Sequence, residues 1–203
     1  MKEPLIQSLF STPIYINNID RDFTKDELDF VNNQKNYCEN NEGNTKSTDN
    51  YILKKQEFKN IKKFLNECCQ DYLNRIINTQ NNIKLDITQS WLNYTKENQY
   101  HHSHAHPNSI ISGVFYFDCD NDSIKFSNPV FYQTIKPLIK SYNSWNSETW
   151  SFSTKKGQLF MFPSSLIHQV DIKKGTNTRT SLSFNTFYKG ILGSNITLTE
   201  LIL

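Results

Sequence analysis

All five histidines lie beyond residue 100, and four are packed into His101-His102-Ser103-His104-Ala105-His106. In an extended strand, side chains two positions apart share a face, with Cα atoms about 7 Å apart. His102, His104 and His106 would then point one way and His101 the other. Two imidazoles on one strand can converge on one metal ion, and Pro107 keeps His106 extended, which suits a strand end. A third ligand has to come from a distant strand, and His168 is the only histidine left to supply it. The competing reading of the cluster by itself is a solvated polar strand end.

One strand beyond His168 stands Arg179-Thr-Ser181. A guanidinium is a planar, permanently charged fork suited to a carboxylate. Ser181, two residues on, shares its face and can donate a further hydrogen bond. By position alone, Arg179 reads equally well as a surface arginine after the Lys173-Lys174-Gly175 turn.

These residues need strands to hold them. From about residue 84, short aromatic and β-branched runs alternate with turn residues: Ile87–Tyr94, Ile110–Phe117, Ile124–Phe126, Trp150–Ser153, Gln158–Phe162, Ile167–Ile172 and Thr180–Tyr188. Strands at this spacing predict a β-sandwich or jelly roll. Before them the texture is helical. Thr24-Lys-Asp-Glu27 is a capping box, with Phe23 and Leu28 placed for a hydrophobic staple, and predicts a helix over about Lys25 to Gln34. Phe58, Ile61, Phe64, Leu65, Cys68, Tyr72, Leu73 and Ile76 recur at helical spacing, so residues 56–78 predict an amphipathic helix laid on a sheet. Leu9 to Ile16 reads as an edge strand, with Pro13 favouring that position. Lys35 to Asn50 is polar and Asn-rich, and reads as a mobile surface loop. Asn128 to Asn146, with Pro129 and Pro137, is long enough to cover a substrate. Trp91, Trp145 and Trp150 read as core or rim aromatics.

Composition bounds the rest. The chain has 203 residues, 36% hydrophobic and 21% charged, with a net charge of +2. That charge is too small to argue for a nucleic-acid or membrane partner. No apolar run has the length of a signal peptide core or a membrane-spanning helix. Cys38, Cys68, Cys69 and Cys119 have no zinc-knuckle spacing and read as reduced thiols, so the expected location is cytoplasmic, or the host cytoplasm for a phage protein.

Several segments together resemble a known family. They are Ser90-Trp-Leu-Asn93, His104-Ala-His-Pro-Asn-Ser109, Ser112-Gly-Val-Phe-Tyr116, Phe162-Pro163 with His168, and Arg179-Thr-Ser-Leu-Ser-Phe-Asn185. Leu9-Phe-Ser-Thr-Pro13 and Lys189-Gly-Ile-Leu-Gly193 also fit. In order and spacing they are similar to 2-oxoglutarate/Fe(II) oxygenases of marine bacteria and their tailed phages. The resemblance covers nearly the whole chain.

It implies a mainly β fold with N-terminal helices, a double-stranded β-helix (jelly roll, cupin-like). As one domain over 1–203, this would comprise a helical support region to about 82, a β-helix core over about 84–190 and a C-terminal extension over 191–203. It implies Fe(II) as cofactor, with 2-oxoglutarate and O2 as co-substrates consumed with release of succinate and CO2. Carried over residue by residue, the metal motif falls on His104 and His106, the distal histidine on His168, and the oxoglutarate arginine on Arg179, aided by Ser181. Asn93, Ser112 and Tyr116 would line the oxoglutarate pocket, although Tyr116 is equally placed to be core and Asn93 to satisfy backbone.

One position departs from the wider pattern of two histidines and a carboxylate. His106 stands where the carboxylate would be. This leaves three readings: a three-histidine site, a site where water or halide replaces the carboxylate, or a shifted set using His102 and His104. Asp118 and Asp171 are conceivable substitutes but lack the two-residue relation to His104. Two other functions compete: a cupin-like metal protein that needs no oxoglutarate, in which Arg179 has no task at the metal, and a non-catalytic jelly-roll module. The sequence names neither the oligomeric state nor the substrate, for which a free amino acid, a peptide or protein side chain, a modified nucleobase and a lipid all stay open.

Overall fold

A computed structural model describes residues 3–131 and 135–203. Its frame is two antiparallel sheets. The larger runs, in spatial order, through β1 (Tyr15–Asn18), β9 (Gln158–Pro163), β6 (Ile111–Asp118), β11 (Arg179–Leu192), β4 (Ile83–Thr95), β3 (Asn44–Ser47) and β2 (Cys38–Asn41). A short β12 (Leu201–Ile202) pairs with the far end of β11. The smaller sheet runs β5 (His101–His104), β10 (His168–Val170), β7 (Ser123–Ser127) and β8 (Thr149–Ser153). Among the described residues, no helix is long and apolar enough to cross a membrane.

The large sheet is apolar on both faces, because each face meets a different layer. Strand alternation sends Phe115, Phe117, Leu182 and Phe184 to one side. There they pack with Ile61, Leu65, Cys68 and Tyr72 of α2 (Lys59–Tyr72), the predicted amphipathic helix. The other alternation sends Tyr116, Phe160 and Phe162 inward, against Ile124 and Phe126 of the small sheet. The inner face of β4 and β11 is instead polar: Asn93, Ser181, Ser183 and Asn185 are buried or half-buried there. This polar strip is walled by aromatics.

The helix α1 (Lys25–Gln34) has the range its capping box implies. Thr24 Oγ1 accepts from the Glu27 amide at 3.2 Å, and the Glu27 carboxylate accepts from the Thr24 amide at 2.8 Å. The seven strands expected beyond residue 84 are all present, within a few residues of their expected ends.

Two expectations are corrected. The edge strand expected at Leu9 to Ile16 lies at Tyr15–Asn18. The stretch Lys35 to Asn50, expected as a loop, contains the hairpin β2–β3, which extends the large sheet beyond β4. The support region therefore supplies strands as well as helices. The expected covering loop at Asn128 to Asn146 includes residues 132–134, which lie outside the described residues.

Close packing at the large sheet's centre is set by Gly113, which faces Phe184 across the β6–β11 ladder. A Cβ there would lie 2.2 Å from Phe184 Cζ. Gly113→Ala should destabilise the fold by about 1–3 kcal/mol, the scale of an overpacked core. Phe184→Leu in the Gly113→Ala background should recover part of that loss. Urea denaturation of the two variants beside the parent checks this; equal midpoints for Gly113→Ala and parent would refute the contact.

Candidate metal centre

The small sheet brings the histidines together. His168 opens β10 directly opposite His104, the last residue of β5. His106 follows two residues past the end of β5, and its amide donates to the Ser164 carbonyl at 2.9 Å. That serine is fixed in turn by a hydroxyl chain: Ser164 Oγ lies 2.7 Å from Ser109 Oγ and 2.8 Å from Ser112 Oγ, and Ser112 donates to Asn185 Oδ1 at 2.8 Å. Ser112, expected beside oxoglutarate, is thus committed to holding the His106 segment.

The ring centroids lie 4.3 Å apart for His104–His168, 4.9 Å for His104–His106 and 5.1 Å for His106–His168. One ligand nitrogen from each ring falls within 4.8 Å of the others. Three imidazoles at right angles on one ion, with metal–nitrogen bonds near 2 Å, would have centroids roughly 4.5 Å apart. The donor set fits a metal in tautomer as well. His104 Nδ1 lies 2.9 Å from the His102 carbonyl and His168 Nδ1 lies 3.0 Å from the Leu166 carbonyl. A carbonyl only accepts, so each Nδ1 carries the proton and each Nε2 keeps a bare lone pair.

Burial keeps these rings uncharged. It lowers the pKa of His104, pushes His106 down to about 4 and pushes His168 down to about 3, with the neighbouring imidazoles adding repulsion. His168 is only 7% exposed, so a histidine strand facing solvent is excluded for this residue. An open cleft of about 880 Å³, walled by Tyr51, Trp91, His106 and Phe187, leads to the cluster. Trp91 lies with its ring 5.9 Å from that of His106, which makes it a wall of the site.

The side expected for His101 is corrected. It stacks on His104, with centroids 4.6 Å apart. The cause is a bulge: His104 faces His168 but His101 faces Val170, so β5 carries one more residue than β10 between the two pairs. The extra residue returns His101 to the His104 side. Burial and the charges of its neighbours, Arg179 among them, push His101 down to about 2. His102 groups with His101 and His104 rather than with His168, and its Nδ1 lies 3.3 Å from the Glu42 carbonyl at the β2–β3 turn. Among the described residues, no carboxylate joins either histidine group. Asp118 is exposed, and Asp171 is exposed and paired with Lys125.

Arg179 is not a surface residue. It is 3% exposed, with Nη2 donating to Thr95 Oγ1 at 2.9 Å and Nη1 to Asp122 Oδ1 at 3.4 Å. Ser181 sits between Asn93 and Tyr116 in the ladders of the large sheet, and all three are buried. Burial raises the Tyr116 pKa while the Arg179 charge opposes it, which places the phenol near the guanidinium. Asn93 Nδ2 donates to Ser183 Oγ at 2.9 Å, and its Oδ1 is buried without a partner. Turning that amide over would let Ser183 donate to Oδ1 and leave Nδ2 free to donate. The unpartnered amide lies two positions along β4 from Thr95, the register partner of Arg179. Sequence reasoning missed Asp122 and Thr95, which bond Arg179 from distant segments, Lys173, which bonds Asp122, and Ser164, which holds the His106 amide.

Comparison with known proteins gives this geometry a context. Residues 89–185 match a family model described as "Putative 2OG-Fe(II) oxygenase". No curated protein matches the chain in sequence. Among solved structures, a Pseudomonas putida prolyl-4-hydroxylase superposes with a TM-score of 0.58 at 11% identity, over 87% of this chain and 92% of that one. A Trichoplax adhaerens prolyl hydroxylase, in complex with a hypoxia inducible factor peptide fragment, gives 0.57 at 14% identity, over 86% and 83%. HygX from Streptomyces hygroscopicus, with nickel, 2-oxoglutarate and hygromycin B bound, gives 0.57 at 9% identity, over 87% and 82%. At these identities the structural likeness speaks for the fold, a jelly roll.

Neutral buried imidazoles also leave a signature on stability. Unfolded histidine titrates near 6.5. Folded His106 and His168 titrate near 4 and 3, so between those values and 6.5 the unfolded chain binds more protons. Stability conferred at neutral pH is then lost as pH falls from about 6.5. The melting temperature of metal-free protein should fall from pH 7 to pH 5, and fall less steeply for His168→Gln. A Tm slope unchanged by that substitution would contradict burial of a neutral His168.

Proposed function

We propose that this chain, by its family match an Fe(II)- and 2-oxoglutarate-dependent oxygenase, holds its iron through His104, His106 and His168 and the far carboxylate of oxoglutarate through Arg179. The observation that carries the assignment is the convergence of three uncharged imidazoles, two with Nδ1 tied to carbonyls, on a face free of carboxylates. Three protein ligands on one face leave room for a bidentate keto acid and for O2. When bound, iron with oxoglutarate and O2 supplies an oxidation that releases succinate and CO2 and places oxygen on a substrate C–H bond.

The chain's own residues supply everything around that chemistry. The carbonyls of His102 and Leu166 orient His104 and His168. The serine chain holds the His106 segment in reach. Ser181, Asn93 and Tyr116 line the oxoglutarate pocket, with Ser181 and the turned Asn93 amide donating hydrogen bonds. Phe126 and Phe162 pack on the inner side of His168, with ring centroids 6.2 and 4.6 Å away, and exclude water there. The substrate enters by the cleft beside Trp91 and Tyr51. The segment from Asn128 to Asn146 is a further candidate for covering it.

Alanine variants separate ligand from bystander. His104→Ala, His106→Ala and His168→Ala should each lose Fe(II), read by a colorimetric chelator after anaerobic desalting. His102→Ala should keep it. His106→Asp should also keep it, because it restores two histidines and a carboxylate. Retention by His106→Ala together with loss by His102→Ala would move the site to the other histidine group.

A further inference from the structure

Behind Arg179 lies an ion cluster that the metal chemistry does not use. Lys173 Nζ lies 3.2 Å from Asp122 Oδ2, and Arg179 Nη1 lies 3.4 Å from Asp122 Oδ1. The side chains of Lys173, Asp122 and Arg179 are 0%, 4% and 3% exposed. Charged side chains are seldom buried so fully unless paired, and an uncompensated buried charge is costly. Here two cations share one carboxylate, and their formal charges leave an excess of one positive charge. No other ion pair among the described residues involves these three groups.

The parts are fixed from outside. Asp122 Oδ2 also accepts the Asp120 amide at 3.0 Å, and the Asp122 carbonyl accepts the Thr154 amide at 3.0 Å, so the β6–β7 turn aims the carboxylate. Lys173 is anchored by its backbone: its amide donates to the Gln99 carbonyl at 2.8 Å and its carbonyl accepts from Asn98 at 3.0 Å. Thr95 receives the other arm of Arg179. The guanidinium carries five donors, of which the structure engages two. Free donors, surplus charge and the orphaned Asn93 Oδ1 lie on one interior wall.

We propose that Lys173 and Asp122 are positioning residues that set the charge of the oxoglutarate pocket: Asp122 orients Arg179, and Lys173 offsets Asp122 so that Arg179 keeps its full charge for one incoming carboxylate. This rests on Arg179 receiving oxoglutarate, as proposed above. Without Lys173, Asp122 and Arg179 would close into a neutral pair, and the co-substrate would bring an uncompensated negative charge into a buried space. The cluster therefore requires a ligand bearing one carboxylate at this end. It disfavours a keto acid that ends in a methyl group or an amide.

The test is calorimetric titration of 2-oxoglutarate into the full chain loaded anaerobically with Fe(II). Lys173→Met should bind oxoglutarate about tenfold or more weakly than the parent, the scale of one lost charge at a partly screened site. Asp122→Asn/Lys173→Met restores the single surplus charge and should return affinity to within about threefold of the parent. Iron affinity should stay unchanged in both. A structural role alone would leave the double variant as impaired as Lys173→Met, or worse, and that result overturns the proposal. So does parental affinity in Lys173→Met. Should Lys173→Met fail to fold, the double variant, which carries the same single surplus charge as the parent, decides by itself: a loss of about tenfold or more there is equally fatal. Failure of the parent to bind oxoglutarate would instead bring down the co-substrate assignment on which this inference rests.

Discussion

Three imidazoles can share a space a few ångströms wide only if none of them carries a proton too many. That constraint organises the molecule around the mouth of its two sheets. Burial in the roll holds His106 and His168 far below the ordinary histidine range, and the carbonyls of His102 and Leu166 decide which nitrogen of His104 and His168 is left bare. The ladder between β5 and β10 sets His104 against His168, and the serine chain adds His106. A carboxylate in the His106 position would change the charge of the site by one unit. Its absence means that bound iron would keep its full charge for the ligands it receives.

The same interior has an opposite end. The inner face of β4 and β11 carries Thr95, Asn93, Ser181 and Ser183, while Phe126, Phe160 and Phe162 close the space from β7 and β9. Polar groups thus stand on one wall of the interior and aromatics on the other. The outer face of the large sheet has a separate task. Its Leu182 and Phe184 share a core with α2, so one strand, β11, turns odd positions to the polar interior and even ones to the core.

Much of this is legible in the chain because it rests on period and order. Alternation marks β4, β6, β9 and β11, and Thr24 to Glu27 marks α1. The order of His104, His106 and His168 survives folding as proximity. What is hidden depends on a partner strand. The side His101 takes is decided by β10, which is one residue short beside β5, and no pattern within residues 101–106 carries that. The hairpin β2–β3 is concealed by composition, since an edge pair can be as polar as Asn and Lys make this one. Its turn signal, Gly43 with φ at +93°, was present all the same. Lys173 and Asp122 are 51 positions apart, and the antiparallel pairing of β7 with β10 in the small sheet makes them a pair.

The central claim is that one cavity holds a metal at its histidine end and an anion at its arginine end. The most direct measurement is anaerobic titration of the Fe(II)-loaded protein with 2-oxoglutarate, followed by visible absorbance. The account predicts a weak metal-to-ligand charge-transfer band that saturates at one oxoglutarate per chain and is absent for Arg179→Ala at the same concentrations. Folded, iron-loaded parent protein that gives neither the band nor a heat of binding would contradict it.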